Sequence, residues 1–147
     1  MIRKAGKTDL ESIRRCAFVA FRKYVPRIGR EPAPMVADFE AAIENENLYV
    51  LTGDGRIRGF VVFYPHGDHL HLENVAVDPE YQGRGDGFRL IEFVEQAATN
   101  AGYDRVELYT NAKMTENLEF YPGLGYEAFA RKIEDGFDRI YFRKALS

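Results

Sequence analysis

Val75-Ala76-Val77-Asp78-Pro79-Glu80-Tyr81-Gln82-Gly83-Arg84-Gly85-Asp86-Gly87 is the stretch from which the rest of the chain can be read. Three apolar residues close a strand, and Asp78-Pro79 stops it. A glycine-rich loop follows, and the spacing after it predicts an amphipathic helix from Phe88. A loop of this kind aims several backbone N–H groups at one point, with the positive end of the helix dipole behind them. Its glycines can take φ > 0 and leave no side chains in front of the amides. Phosphate or pyrophosphate fits such a cradle. Taken alone, the loop is also compatible with a plain strand-to-helix turn.

Upstream, Leu70 and Leu72 alternate with His69, His71 and Glu73, giving one apolar face. Val75 and Val77 then continue the apolar series on the opposite parity. Side chains alternate with period 2, so a one-residue shift implies a bulge near Glu73-Asn74. Ala76 is apolar too, which leaves burial on both faces as the alternative. A bulge there frees backbone N–H and C=O groups just before the loop, a geometry suited to an extended, amide-containing ligand.

Downstream, Phe88, Ile91, Val94 and Ala98 form a helical stripe, widened by Leu90, Phe93 and Ala97, with Gly102 just past the helix end. Residues 104–110 alternate as the next strand. The connection is a right-handed βαβ crossover, so the two strands it joins are parallel.

The remaining elements fall into place around this unit. A first strand covers 1–5. Thr8 and Glu11 read as a capping box ahead of a helix over about 9–23. Residues 25–34, with three prolines and a glycine, read as a loop, and a second helix begins near Met35. Strands at 48–52 and 57–64 are joined by Gly53-Asp54-Gly55-Arg56, a hairpin signal. A short helix over about 115–121 is limited by Pro122, and a hairpin of strands at 127–133 and 137–144 ends the chain. The order β-α-α-β-β-β-α-β-α-β-β gives an α+β fold. Its centre is a mixed sheet of about seven strands with helices on both faces, in one domain spanning 1–147.

Composition narrows the function classes. The net charge of −3, with both signs interspersed, offers no basic face for nucleic acid. The chain has no apolar run of 18 or more residues, so no membrane-spanning helix is expected. One cysteine, Cys16, permits no internal disulfide and fits a reducing, cytoplasmic setting; beside an apolar stripe it reads as a small core residue. His66, His69 and His71 lack a second cluster that would complete a metal shell, and no metal is expected.

The order of elements and two motifs resemble the GNAT superfamily of acyl-CoA-dependent N-acyltransferases, over essentially the whole chain. Gln82, Gly85 and Gly87 match that family's Gln/Arg-x-x-Gly-x-Gly/Ala signature. Tyr121-Pro122-Gly123-Leu124-Gly125-Tyr126 matches its Tyr-x-x-Leu-Gly-Phe/Tyr segment, at the expected separation. The resemblance implies an N-acetyltransferase acting on acetyl-CoA and an amine acceptor, without a metal. It places the CoA pyrophosphate on amides of the loop, from Gln82 through Gly83, Arg84, Gly85, Asp86, Gly87 and Phe88. The pantetheine arm is expected along the backbone of Val75, Ala76 and Val77, and the acyl group where the parallel strands splay apart.

Two positions depart from the family. Asp86 stands where an apolar residue is usual and brings a negative charge to the loop. Met114 stands where an asparagine is common, which leaves Asn111 or Asn117 for a polar pantetheine contact. The implied reaction is direct attack of a neutral amine on the thioester. It needs a base, for which Glu73 and Glu107 are the candidates, and an acid, for which Tyr121 matches. The alternative is a catalytically idle acyl-CoA sensor or interaction domain. The acceptor pocket is expected among the 24–35 loop, the 66–73 strand start and the 134–137 turn. Arg27 and Arg30 point to a carboxylate-bearing acceptor, whereas His71, Glu73 and Glu107 point to a cationic one. A homodimer stays open.

Overall fold

Alternating apolar residues along the chain pair into one seven-stranded sheet in the computed structural model, which describes residues 1–146. The strands are β1 (Ile2–Lys4), β2 (Leu48–Gly53), β3 (Arg56–His66), β4 (His69–Val77), β5 (Arg105–Asn111), β6 (Glu127–Glu134) and β7 (Phe137–Ala145), in spatial order β1-β2-β3-β4-β5-β7-β6. Among the described residues, only β4 and β5 run parallel. The helices are α1 (Leu10–Phe21), α2 (Val25–Ile28), α3 (Phe39–Glu44), α4 (Asp86–Asn100) and α5 (Asn117–Gly123). The mixed sheet with helices on both faces is the architecture expected from the sequence.

Each sheet face has its own core. On one, Ile13, Cys16, Ala17 and Phe21 of α1 and Phe39 and Ile43 of α3 pack on Val50, Phe60, Val62 and Ala76. On the other, Leu90, Ile91, Val94 and Ala98 of α4 pack on Val61, Leu70, Leu72, Val106 and Leu108. Each fully buried side chain of this size contributes about 1.5–3 kcal/mol. Burial also pushes the Cys16 thiol up to about 12, helped by the nearby Asp78 carboxylate, so it stays protonated and inert.

The bulge falls where the parity shift puts it. Val62 of β3 pairs with Asn74, but its successor Phe63 pairs with Leu72, leaving Glu73 as the extra residue. The side chains change faces across it. Leu70 and Leu72 lie in the α4 core, Asn74 turns to the α1 side with Ala76, and Val75 and Val77 pack against the α4 core.

Several local expectations are corrected. The first helical turn is closed by Asp9, whose carboxylate accepts from Gly6 N at 2.8 Å, and not by Thr8 with Glu11. Arg3 also chelates that carboxylate, at 2.8 and 3.0 Å, so a long-range partner fixes the choice. Residues 25–34 are not wholly loop. Val25–Ile28 make a helical turn, because Pro26 sits in its first turn, where no N–H is needed. Ala33–Met35 form only a 3-10 turn, and the second full helix starts at Phe39 with Asp38 as its N-cap. The helix after the loop begins at Asp86, two residues early, and Phe88 is 50% exposed and lies outside its core stripe. Pro122 lies inside α5 and does not end it.

Candidate functional site

Pairing between β4 and β5 covers only Leu70↔Val106, His71↔Glu107 and Leu72↔Leu108. From Glu73 onward β4 keeps β3 on one side and loses β5 on the other. One edge of the Val75, Ala76 and Val77 backbone therefore has no strand partner. The bulge and the parting of the strands coincide, and a cavity of about 560 Å³ opens there. Its walls include Glu73, Asn74 and Val75 from β4, Tyr109 and Asn111 from the end of β5, and Tyr121 from α5.

Beyond the splayed strand, Asp78 caps a 3-10 turn at Pro79–Tyr81, accepting from Glu80 N at 3.0 Å. The loop then turns through Gly83 and Gly85, at φ +83° and +82°, values that favour glycine. Nothing lies within 4 Å of where a Cβ would stand on either, so the space before the amides is open. The first backbone bond of α4 runs from Arg89 N to Gly85 O, and the N–H groups of Asp86, Gly87 and Phe88 precede it. Gln82 folds back and donates through Nε2 to Val77 O at 3.3 Å, tying loop to strand. Gly87 sits close under Phe120, where a Cβ would meet the ring at 3.4 Å. This cradle of free amides at a helix N-terminus has the chemistry to hold a pyrophosphate.

Asp86 does not present its charge to that space. Its side chain is fully buried, and Arg58 from β3 grips it through Nε at 3.0 Å and Nη2 at 2.7 Å. Arg89 adds a second partner, through Nη1 at 2.8 Å. Two guanidinium groups thus outweigh one carboxylate, and the negative charge expected from Asp86 at the loop is compensated there by Arg58 and Arg89.

On the far wall, Tyr121 is held by rings of Phe120, Tyr126 and Phe142, with centroids 5.2–5.9 Å away. The rest of its motif does the holding. Leu124 N and Tyr126 N both donate to Tyr121 O at 3.0 Å, and Tyr126 OH donates to Glu95 of α4 at 2.8 Å. Burial raises the Tyr121 pKa above its ordinary value, so the phenol is protonated at neutral pH.

The two candidate bases separate. Glu73, the bulged residue, lines the cavity and accepts from Tyr64 OH at 2.9 Å. Glu107 stands outside the residues that form the cavity wall. It is ion-paired to Arg105 Nε, with His69 Nδ1 at 3.6 Å. Asn111 and Asn117 both line the cavity. Asn111 Oδ1 accepts from Lys113 N at 2.9 Å, and Asn117 Nδ2 donates to Thr110 Oγ1 at 3.0 Å. Met114 is buried between them, its sulfur 3.7 Å from Thr110 Oγ1.

The His66 ring meets His69 edge-on and His71 at a tilt, with centroids 5.5 and 6.1 Å away, and among the described residues the histidines form no metal-holding group. Burial, with His66 and His69 nearby, pushes His71 down to about 4, so it is neutral at pH 7. Sequence reasoning missed Tyr64 and Asn74. Tyr64 looked like one more strand aromatic, and Asn74 was noticed only as the neighbour of the bulge.

The family model of the Acetyltransferase (GNAT) family matches residues 10–126. The mycothiol acetyltransferase of Jonesia denitrificans is 33% identical over 93 residues, covering 60% of this chain and 30% of that protein. The [ribosomal protein bS18]-alanine N-acetyltransferase of Salmonella typhimurium is 32% identical over 83 residues, covering 56% of each. The chain thus spans between about a third and a little over half the length of these curated relatives. Among solved structures, the PaiA N-acetyltransferase of Thermoplasma acidophilum in complex with coenzyme A superposes with a TM-score of 0.74. It is 19% identical, over 99% of this chain and 98% of that one. At that identity the likeness shows the fold.

Proposed function

The chain belongs to the Acetyltransferase (GNAT) family, and on that premise we propose that it moves an acetyl group from acetyl-CoA to a primary amine by direct attack. Acetyl-CoA supplies the thioester: the amine nitrogen bonds to its carbonyl carbon, the carbon–sulfur bond breaks, and the sulfur leaves as CoA. Amides of Gly83, Arg84, Gly85, Asp86, Gly87 and Phe88 hold the pyrophosphate, with Gln82 fixing the loop. The open edge of Val75, Ala76 and Val77 takes the pantetheine amides, and Asn111 or Asn117 adds a side-chain contact.

Glu73 removes the proton from the attacking amine, directly or through water, and Tyr121 protonates the departing thiolate. A phenol kept protonated by burial is in the form that can donate. Glu107, already held by Arg105, has an orienting part at most in this reading. The observation that carries the proposal is the coincidence of three features. The Glu73 bulge, the end of β4–β5 pairing and the Tyr121 side chain all border one cavity.

The test is thiol release from acetyl-CoA over a panel of primary amines, with product mass as a second readout. Amine-dependent release with an acetylated product supports the reading. Acetyl-CoA that raises the melting temperature while no amine is turned over would support the idle sensor instead.

A further inference from the structure

The arginines an anionic acceptor would need are engaged elsewhere. Arg27 donates to both oxygens of Glu116, at 2.6 and 3.2 Å, and Lys23 joins at 3.5 Å. The Arg30 guanidinium lies 3.6 Å from the Phe137 ring centre and donates to the Asp135 carbonyl. Both residues therefore fasten the segment after α1 to the opposite side of the cleft, Arg27 to the 111–117 connection and Arg30 to the β6–β7 turn.

What is left on the cavity wall is acidic. Asp38 and Glu73 line it, with Arg139 as the one cation. Arg139 is itself held between Glu134 at 3.6 Å and the rings of Tyr109 and Phe137. Burial raises the Tyr109 pKa most; Arg139 lowers it, and Glu73, Glu134 and Asp135 raise it. The wall carries two carboxylates against one engaged guanidinium, a balance that favours a cation.

Asn74 adds a specific request. It is 4% exposed and lines the cavity. Its Nδ2 donates to Pro34 O at 3.0 Å, which fixes the amide and leaves Oδ1 as an acceptor. Among the described residues, Asn74 Oδ1 is the one buried side-chain polar atom without a partner. A buried carbonyl oxygen in that state calls for an N–H donor.

We propose that the acceptor carries a second, non-reacting ammonium group, as a small diamine or polyamine does, and that this group is held by the Asp38 carboxylate and Asn74 Oδ1. This deepens the acetyl-transfer reading above and rests on it. An ammonium can donate to either acceptor on this wall, whereas a carboxylate in the same place would face Asp38 and an oxygen that cannot donate.

The experiment compares butylamine, putrescine and γ-aminobutyrate as acceptors at saturating acetyl-CoA. They share a four-carbon chain and differ in the far group. The expected kcat/KM for putrescine exceeds that for butylamine by about tenfold or more, with γ-aminobutyrate lowest. Asp38→Asn keeps a side-chain oxygen for the α3 cap, as Asn is also a good N-cap, so the variant folds. It should lose most of the preference for putrescine while the KM for acetyl-CoA holds. Equal use of putrescine and butylamine, a preference for γ-aminobutyrate, or turnover of a peptide amine alone would overturn the diamine inference and leave acetyl transfer standing. Acetyl-CoA binding with no thiol release on any amine would remove both.

Discussion

Arg58 of β3 and Asp86 at the start of α4 form a buried, forked ion pair, with contacts of 2.7–3.0 Å across 28 residues of sequence. The pair joins the β2–β3 hairpin to the first turn of the helix behind the glycine loop. The Arg58 side chain runs over Gly53, where a Cβ would stand 2.5 Å from Nη1, and its guanidinium faces the Tyr81 ring at 5.1 Å. Asp86 thus anchors the loop from below, while its backbone N–H remains on the open side.

Asp86→Ala should loosen that anchor. Losing one amide hydrogen bond to the charged pyrophosphate costs about 1.5–3 kcal/mol, roughly ten- to a hundredfold, so the KM for acetyl-CoA should rise at least about tenfold with kcat changed less. Gly53→Ala, which pushes the Arg58 fork aside without touching the loop, should move KM in the same direction. Steady-state kinetics with varied acetyl-CoA checks both. An unchanged KM in the two variants would show that the loop holds its shape without the pair.

Tyr121→Phe removes one oxygen from a ring packed on three others. Turnover should fall by about a hundredfold, the usual scale of a lost general acid, while acetyl-CoA binding by calorimetry stays near wild type. Loss of binding in parallel with turnover would reassign Tyr121 to packing.

Tyr64→Phe removes the hydroxyl that donates to Glu73. That bond orients the Glu73 carboxylate at the cavity wall. Without it the base is less well placed, and kcat should fall by roughly tenfold or more while the KM for acetyl-CoA holds. An unchanged kcat would separate Tyr64 from the base.

His71 makes stability depend on pH. Its folded pKa is depressed from 6.5 to about 4, chiefly by burial. Its contribution is therefore fully present above pH 6.5 and is lost as the pH falls toward 4. In that window unfolding takes up one proton, so the free energy of unfolding should drop by about 1.4 kcal/mol per pH unit from this residue alone. Urea melts between pH 7 and 4.5 should show a slope that His71→Gln makes shallower. Equal slopes would mean the imidazole titrates normally.

What could be read ahead followed from local rules. The Glu73 bulge was legible because Leu70 and Leu72 against Val75 and Val77 break a period of two. The glycine loop and the Tyr121–Tyr126 segment were legible because each is a short motif with its own geometry. What could not be read depends on partners far along the chain. The Asp9 cap rests partly on Arg3 in β1, and the burial of Asp86 rests on Arg58. Arg27 and Arg30 pointed to a carboxylate-bearing acceptor because their partners Glu116 and Asp135, about 90 and 105 residues away, are not visible from the local sequence. Glu73 and Glu107 looked equivalent because their strand positions are similar. The ion pair to Arg105 and the opening at the bulge are tertiary facts, and they separate the two.

The most direct measurement is a crystal structure of the protein with CoA. The account places the pyrophosphate on the N–H groups from Gly83 to Phe88, the pantetheine along the open edge of Val75–Val77, and the thiol in the cavity between Glu73 and Tyr121. A pyrophosphate bound away from the loop, or a thiol outside the cavity that those two residues border, would contradict it.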